Sequence, residues 1–214
     1  MPISVQNVLV TGTEPIALAD MKNALKIDST DTTDDALISS LITAARQRAE
    51  LITGRCIVTS NWVYYLDCFP YGWFSQQAPA RGDYPTFMQF YANAQTFRIP
   101  KSPVTAVTAI MYQADSTGVF TTLSPSAYVV DYASEPCVVN PTGSNIWPYA
   151  YATHNAVQVQ FTAGYGNNCP EPIKVAISLM VTDWWENRGD SATVNRVADM
   201  LLSGYRSQPM GYVR

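Results

Sequence analysis

Charge is what this chain of 214 residues has least of. Lys and Arg number 13 and Asp and Glu 17, together 14% of the residues, against about a quarter in an ordinary soluble domain. Coiled coils and charge-rich disordered chains are excluded, because both are built on charge. Histidine occurs once and cysteine four times, at Cys56, Cys68, Cys137 and Cys169, with no CxxC spacing. A metal cluster therefore has little to work with, no metal site or cofactor is expected, and buried free thiols are the expected state. No apolar run approaches the roughly 20 residues of a membrane span, so no membrane partner is expected. Met1 to Val10 lacks a basic region and a sustained apolar core, which argues against a signal peptide and for synthesis in the cytoplasm.

Apolar bulk is abundant instead: 47% of residues are hydrophobic and 12% aromatic, including 13 Tyr, 7 Phe and 5 Trp. The mean hydropathy of -0.03 shows that uncharged polar residues make up the wet surface. Surfaces of that kind suit packing against neighbours. A net charge of -4 and a pI near 4.9 leave no general basic field to neutralise phosphates, which argues against a stand-alone DNA-binding protein but leaves a local basic patch open. Residues 55 to 165 hold only 5 acidic and 4 basic side chains, so the middle of the chain is nearly charge-free. The length suits one large domain or two small ones, burying roughly 70% of the unfolded surface.

The apolar period predicts a short helix over Leu18 to Ile27. A second is predicted from a capping-box-like Thr32 and Asp35 to Gly54, with Leu37, Leu41, Ala44, Ala45, Arg48 and Ile52 on one face. Its acidic start (Asp31, Asp34, Asp35) and basic end (Arg46, Arg48, Arg55) suit the helix dipole. From Cys56 to Leu66 the period changes to two, which predicts a long strand ended by Pro70. Residues Tyr71 to Gln95, rich in Pro, Gly and aromatics, read as an interaction loop. Its Trp73, Phe74, Tyr84 and Phe87 are candidate interface residues.

Strands are predicted at Phe97 to Ile99, Val104 to Tyr112, Val119 to Leu123, Tyr128 to Val130, Cys137 to Asn140 and Ala156 to Ala163. Ile173, Ala176, Ile177, Met180, Val181 and Trp184 then trace a third helix, opened by Pro170-Glu171-Pro172, and Val194 to Leu202 a fourth. Helices at both ends of the chain predict an α+β fold. Helices of residues 1–55 and 166–214 form a bundle, the latter ending in an extended tail, with an antiparallel β subdomain of 56–165 inserted between them. The tail after Leu202 lacks core periodicity, so its removal is expected to spare folding. Tyr205, Arg206, Tyr212 and Arg214 are anchors there for a partner, and Trp185, about 100° around the helix from Trp184, is an interface candidate.

No catalytic residue is nominated. His154, the single histidine, sits in a loop reading, and no GxSxG, Walker A or HExxH is present. Gly164-Tyr165-Gly166 reads as a turn. Asp31, Asp34 and Asp35 lack the mid-loop Gly and distal Glu of a calcium loop. Asp67, Asp83, Asp131 and Glu135 lie near β elements, which keeps a carbohydrate-active hydrolase using Asp or Glu open as an alternative. A soluble ligand-binding module is another.

Longer stretches carry a resemblance. Glu14-Pro15-Ile16-Ala17-Leu18-Ala19-Asp20-Met21-Lys22, Leu41-Ile42-Thr43-Ala44-Ala45-Arg46 and Thr53-Gly54-Arg55 resemble the N-terminal helices of tailed-phage head-tail connector proteins, also called adaptor or head-completion proteins. Trp62, Leu66-Asp67, Phe69-Pro70, Ile99-Pro100, Pro103-Val104, Tyr128 to Asp131, Trp147-Pro148, Asn155-Ala156-Val157, Ala163 to Gly166, and Pro170 through Arg188 follow in the family's order. Tyr71 to Gln95 is longer than the family pattern, and Gly189 to Thr193 replaces a more helical connection. The resemblance implies a homo-oligomeric ring, usually of twelve copies, in the virion neck. The ring sits beneath the portal protein, meets a tail or stopper (nozzle) protein, and continues the DNA exit channel without sequence-specific DNA binding. It implies portal binding by Leu202 to Arg214, hence by Tyr205, Arg206, Tyr212 and Arg214.

Overall fold

A computed structural model describes residues 4–70, 95–143, 145–187 and 195–207. The chain forms two compact units, one of Met1–Leu9 with Asn61–Ala163, the other of Val10–Ser60 with Gly164–Arg214.

The second unit is helical: α1 (Leu18–Ala24), α2 (Asp35–Thr53), α3 (Glu171–Asn187) and α4 (Arg196–Ser203). One core unites them, drawn from Met21, Ile38, Ile42, Ala45, Ala49, Ile57, Ile173, Ala176, Ile177, Met180, Val181, Ala198 and Leu202. Helices α2 and α4 both pack on α3, so elements from the two ends of the chain close the bundle together. On α3 the expected stripe is the buried one, with Trp184 half-buried at its end.

The buried stripe of α2 departs from the expected one by a single position. Ile38, Ile42, Ala45, Arg46, Ala49 and Thr53 are buried, whereas Leu37 is 51% exposed and Ala44 and Arg48 face solvent. The offset arises because Arg46, a charged residue, takes a place in the apolar face with its charge paired. The expected capping box is also absent: Asp34 is the N-cap and makes no side-chain cap bond. Asp35 instead pairs at 2.8 Å with Lys22, which is only 4% exposed. Neutralising a buried ammonium outweighs capping a helix end that water can satisfy. Gly54 does close α2 in the left-handed region, at φ +70°, its N–H donating to Glu50 O at 2.8 Å.

The first unit carries a five-stranded sheet in the order β1 (Ser4–Val10), β2 (Ser60–Leu66), β8 (Val157–Ala163), β4 (Val104–Gln113), β5 (Phe120–Thr122). A three-stranded sheet is ordered β3 (Phe97–Arg98), β7 (Val138–Pro141), β6 (Tyr128–Asp131). The β4 pairs with β5 and β8, and the β7 pairs with β3 and β6, are antiparallel. Mixed α+β architecture is thus observed. Strand β8 shows the clean alternation of a half-buried strand: Val157, Val159, Phe161 and Ala163 are buried while Gln158, Gln160 and Thr162 are partly open. Phe69 stacks on Trp147 with centroids 4.9 Å apart, Phe97 meets Trp147 at 5.5 Å, and Tyr112 meets Phe69 edge-on at 5.9 Å. The Trp147 indole N–H finds the carbonyl of Gln95, as a buried indole requires.

The predicted strand Cys56 to Leu66 is shorter than its periodicity suggested, beginning at Ser60. Backbone groups of residues 57–59 are claimed within the helical unit. Glu50 accepts from Ile57 N at 2.8 Å, Tyr165 N donates to Ile57 O at 3.1 Å, and Thr59 O accepts from Thr11 N and Gly12 N. Gly164 must be glycine for this approach: its φ is +133°, and a Cβ there would lie 2.5 Å from Val58 O. Strand β1 has no counterpart among the predicted elements. The loop reading of Tyr71 to Gln95 lies outside the described residues up to position 94.

Candidate functional site

The ionisable clusters that bury a cation pair it with carboxylates close by. Arg46, 7% exposed, donates from Nε to Glu14 at 2.9 Å and from Nη1 to Glu50 at 2.8 Å. Thr43 holds the other Glu14 oxygen at 3.0 Å, and Glu50 Oε1 takes the Ile57 N–H. This knot ties α2 to the chain on either side of it. It corrects the reading of Arg46 as a dipole-complementing cation at the helix end.

The acidic segment before α2 closes around Lys22, whose ammonium donates to the carbonyls of Ser29 and Asp31 beside its ion pair with Asp35. Asp28 and Asp31 turn inward on their own turns. Backbone and hydroxyl hydrogen bonds from Thr30 and Thr33 hold both carboxyls below the ordinary carboxylate value. Among the described residues no three His, Cys, Asp or Glu side chains converge to hold a metal ion.

Of the carboxylates weighed for acid-base chemistry, Asp67 and Asp131 accept hydrogen bonds from nearby backbone N–H groups. Asp131 accepts from Ala133 N and from the Ser134 hydroxyl, which lowers its pKa, and Asp115 does the same with Thr117. Asp67 accepts from Asn155 N at 3.0 Å and stands 3.7 Å from His154 Nδ1. That His side chain is 94% exposed. Asp83 lies outside the described residues. Cys68, Cys137 and Cys169 are free thiols; burial pushes those of Cys137 and Cys169 up to about 11, far from a reactive thiolate.

What the surface does offer is contact area. Val119, Val129, Ile146 and Tyr149 are all more than half exposed. An open cleft of about 550 Å³ runs along Leu123, Ala127, Asn145, Ile146, Trp147, Pro148 and Tyr149. Val197 and Met200, one helical turn apart on α4, are 57% and 70% exposed.

The predicted portal-contact residues are partly in view. Tyr205 is half-buried against the helical core, and its carbonyl accepts from Arg55 Nε at 2.6 Å. Arg55 Nη1 also reaches the Tyr165 hydroxyl at 3.1 Å. Arg206 is exposed, and Ser207 N donates to Thr53 O at 2.7 Å. The chain is therefore tied to the end of α2 as far as Ser207. Tyr205 and Ser207 thus bond to the helical unit, although the tail after Leu202 carries no core periodicity. Trp185 is half-buried and packs against the same core. Tyr212 and Arg214, with Trp73, Phe74, Tyr84 and Phe87, lie outside the described residues. No helix among the described residues is long and apolar enough to cross a membrane.

Residues 15–113 match the family model of phage gp6-like head-tail connector proteins. The resemblance read from the sequence is borne out there. No curated protein matches. Among solved structures, a chain in the neck of an empty gene transfer agent (GTA) particle, computed with C6 symmetry, is 20% identical with a TM-score of 0.70, and the alignment covers 96% of both chains. A chain in the virion of the native GTA particle is 20% identical with a TM-score of 0.67 over 95% of each. One in the neck of the native particle, computed with C12 symmetry, is 22% identical with a TM-score of 0.64 over 96% of each. At such identities these chains and this one share a fold.

Proposed function

We propose that this chain is a non-enzymatic structural adaptor of a tailed-phage-like virion, assembling as a twelve-copy ring beneath the portal protein, joining head to tail and continuing the DNA exit channel. The observation that carries this reading is the head-tail connector pattern over residues 15–113 in a chain whose whole fold is that of a subunit from a particle neck. The C6 and C12 symmetries of those necks support a ring.

The physical character of the chain supports it as well. A ring needs two different contact patches on each copy, and the weakly charged, apolar-studded β unit supplies surface for them. A net charge of -4 suits a conduit that DNA must traverse without adhering. In this reading the helical bundle, expected from the sequence at 1–55 and 166–214, comprises Val10–Ser60 and Gly164–Arg214, and Met1–Leu9 with Asn61–Ala163 form the β subdomain expected at 56–165. Tyr205, Arg206, Tyr212 and Arg214 engage the portal. Trp73, Phe74, Tyr84, Phe87 and Trp185 serve contacts with neighbouring subunits or the tail-side stopper or nozzle protein. The protein is made in the host cytoplasm and ends in the virion neck.

Light scattering of the purified chain, alone and mixed with purified portal rings, tests the proposal. A monomer that joins the portal in about twelve copies is the expected result. A chain that stays monomeric with portal present overturns it.

A further inference from the structure

We propose that β1 is the strand by which one copy joins the next: its outer edge, unpaired among the described residues, pairs with the outer edge of β5 on a second copy, continuing the five-stranded sheet from subunit to subunit. This rests on the ring reading above and adds the surface that builds the ring.

Strands β1 and β5 are the two ends of one sheet. A contact between them is heterologous, so every copy gives one edge and receives one, as a closed ring demands. Strand β1 is also exposed on both faces. Val8, Leu9 and Val10, successive residues that alternate between faces, are 61%, 56% and 50% open. A strand in a finished structure normally buries at least one face. Neither edge carries the usual protection either. Proteins that must stay single blunt sheet edges with Lys, Pro or other charge, yet Ser4–Val10 and Phe120–Thr122 contain none of these. The uncharged surroundings extend further, over residues 1–13 and 116–130. Val119, 67% exposed, adds apolar surface beside β5. Two neutral edges meet without stranding a charge, whereas a charged partner segment would gain nothing here.

The edge of β5 is three residues, about 10 Å. One such contact makes only a few hydrogen bonds, so a lone pair of copies associates weakly and the ring gains by closure.

The test uses the full chain with Cys68→Ser, mixed with purified portal rings and mildly oxidised. Thr121→Cys is combined in turn with Gln6→Cys or Val8→Cys. Head-to-tail pairing gives a ladder of dimers, trimers and higher species on non-reducing gels, only when both cysteines are present. Dimers from Val8→Cys alone mean β1 meets β1 and overturn the proposal. So does the absence of cross-links in both combinations while the chain still multimerises, which leaves the ring reading intact. A wild-type chain that never multimerises sinks both. In parallel, Val8→Lys with Leu9→Lys is expected to cut multimer yield at least tenfold with an unchanged melting temperature, since both side chains are exposed. Undiminished yield overturns the strand's role.

Discussion

Arg46→Ala is the sharpest probe of what holds the helical unit together. The substitution removes a cation that bridges Glu14 and Glu50, whose side chains are 33% and 26% exposed. Breaking a fully buried pair costs about 3–5 kcal/mol, chiefly because the partner charge is left without compensation. Here both carboxylates reach some water, which screens part of that penalty. The expected loss is therefore about 2–3 kcal/mol, or a melting temperature lower by roughly 5–10 °C for a chain of this size. The two carboxylates are not equivalent. Glu14→Ala gives up the Arg46 Nε bond and the Thr43 hydroxyl, whereas Glu50→Ala also strands the buried Ile57 N–H. Glu50→Ala is expected to cost at least about 1 kcal/mol more. Urea denaturation followed by far-UV circular dichroism and by tryptophan fluorescence measures the loss. A double-mutant cycle of Arg46→Ala with Glu50→Ala should give a coupling above about 1 kcal/mol. An Arg46→Ala loss below about 0.5 kcal/mol with no coupling would refute the knot as a stabilising feature.

Gly164→Ala should destabilise by about 3 kcal/mol, from a positive φ and a Cβ aimed at Val58 O. Gly118→Ala, also at positive φ but with nothing within 4 Å, should cost only about 1 kcal/mol; equal losses in thermal melts would remove the close approach as the cause. Trp147→Ala should cost about 3–5 kcal/mol by emptying the space between Phe69 and Phe97, and a loss under 1 kcal/mol would contradict that packing. At pH 8 a thiol reagent should modify half-buried Cys68 ahead of Cys56, Cys137 and Cys169, with all four reacting after denaturation; prompt labelling of Cys137 or Cys169 would contradict their burial and raised pKa. Asp28, Asp31, Asp115 and Asp131 titrate low in the folded chain, so the stability they add is present above the ordinary carboxylate value and lost as pH falls through their folded values. Carboxyl NMR titration midpoints at or above about 3.9 would refute the turn bonds.

Helix positions and seven of the eight strands among the described residues were legible because their signals are local. The stripe from Ile173 to Val181 is buried residue for residue, and the alternation from Val157 to Ala163 marks a strand open on one face. Gly54 was legible as a helix stop for the same reason, since a left-handed residue there needs only its own backbone. Legibility failed where one residue answers to a partner far along the chain. Arg46 sits in an apolar stripe because Glu14, 32 positions earlier, takes its charge. Asp35 leaves the helix end for Lys22, and Tyr205 belongs to the fold because Arg55, 150 residues away, binds its carbonyl. Periodicity carries no trace of any of these.

Strand β1 eluded the sequence for a reason that bears on what it does. Pattern reading finds strands through the contrast between a wet and a dry face. In Ser-Val-Gln-Asn-Val-Leu-Val that contrast is missing, and in the structure neither face is dry. A segment that lacks alternation yet forms a strand in a single copy is one whose second face is completed elsewhere. Ile146 and Tyr149 also stand exposed, beside a cleft in a stretch free of charge. In a chain with 14% charged residues, solubility of the lone copy is spent on contact surface, and the segments hardest to read as monomer structure are those to examine first as assembly structure.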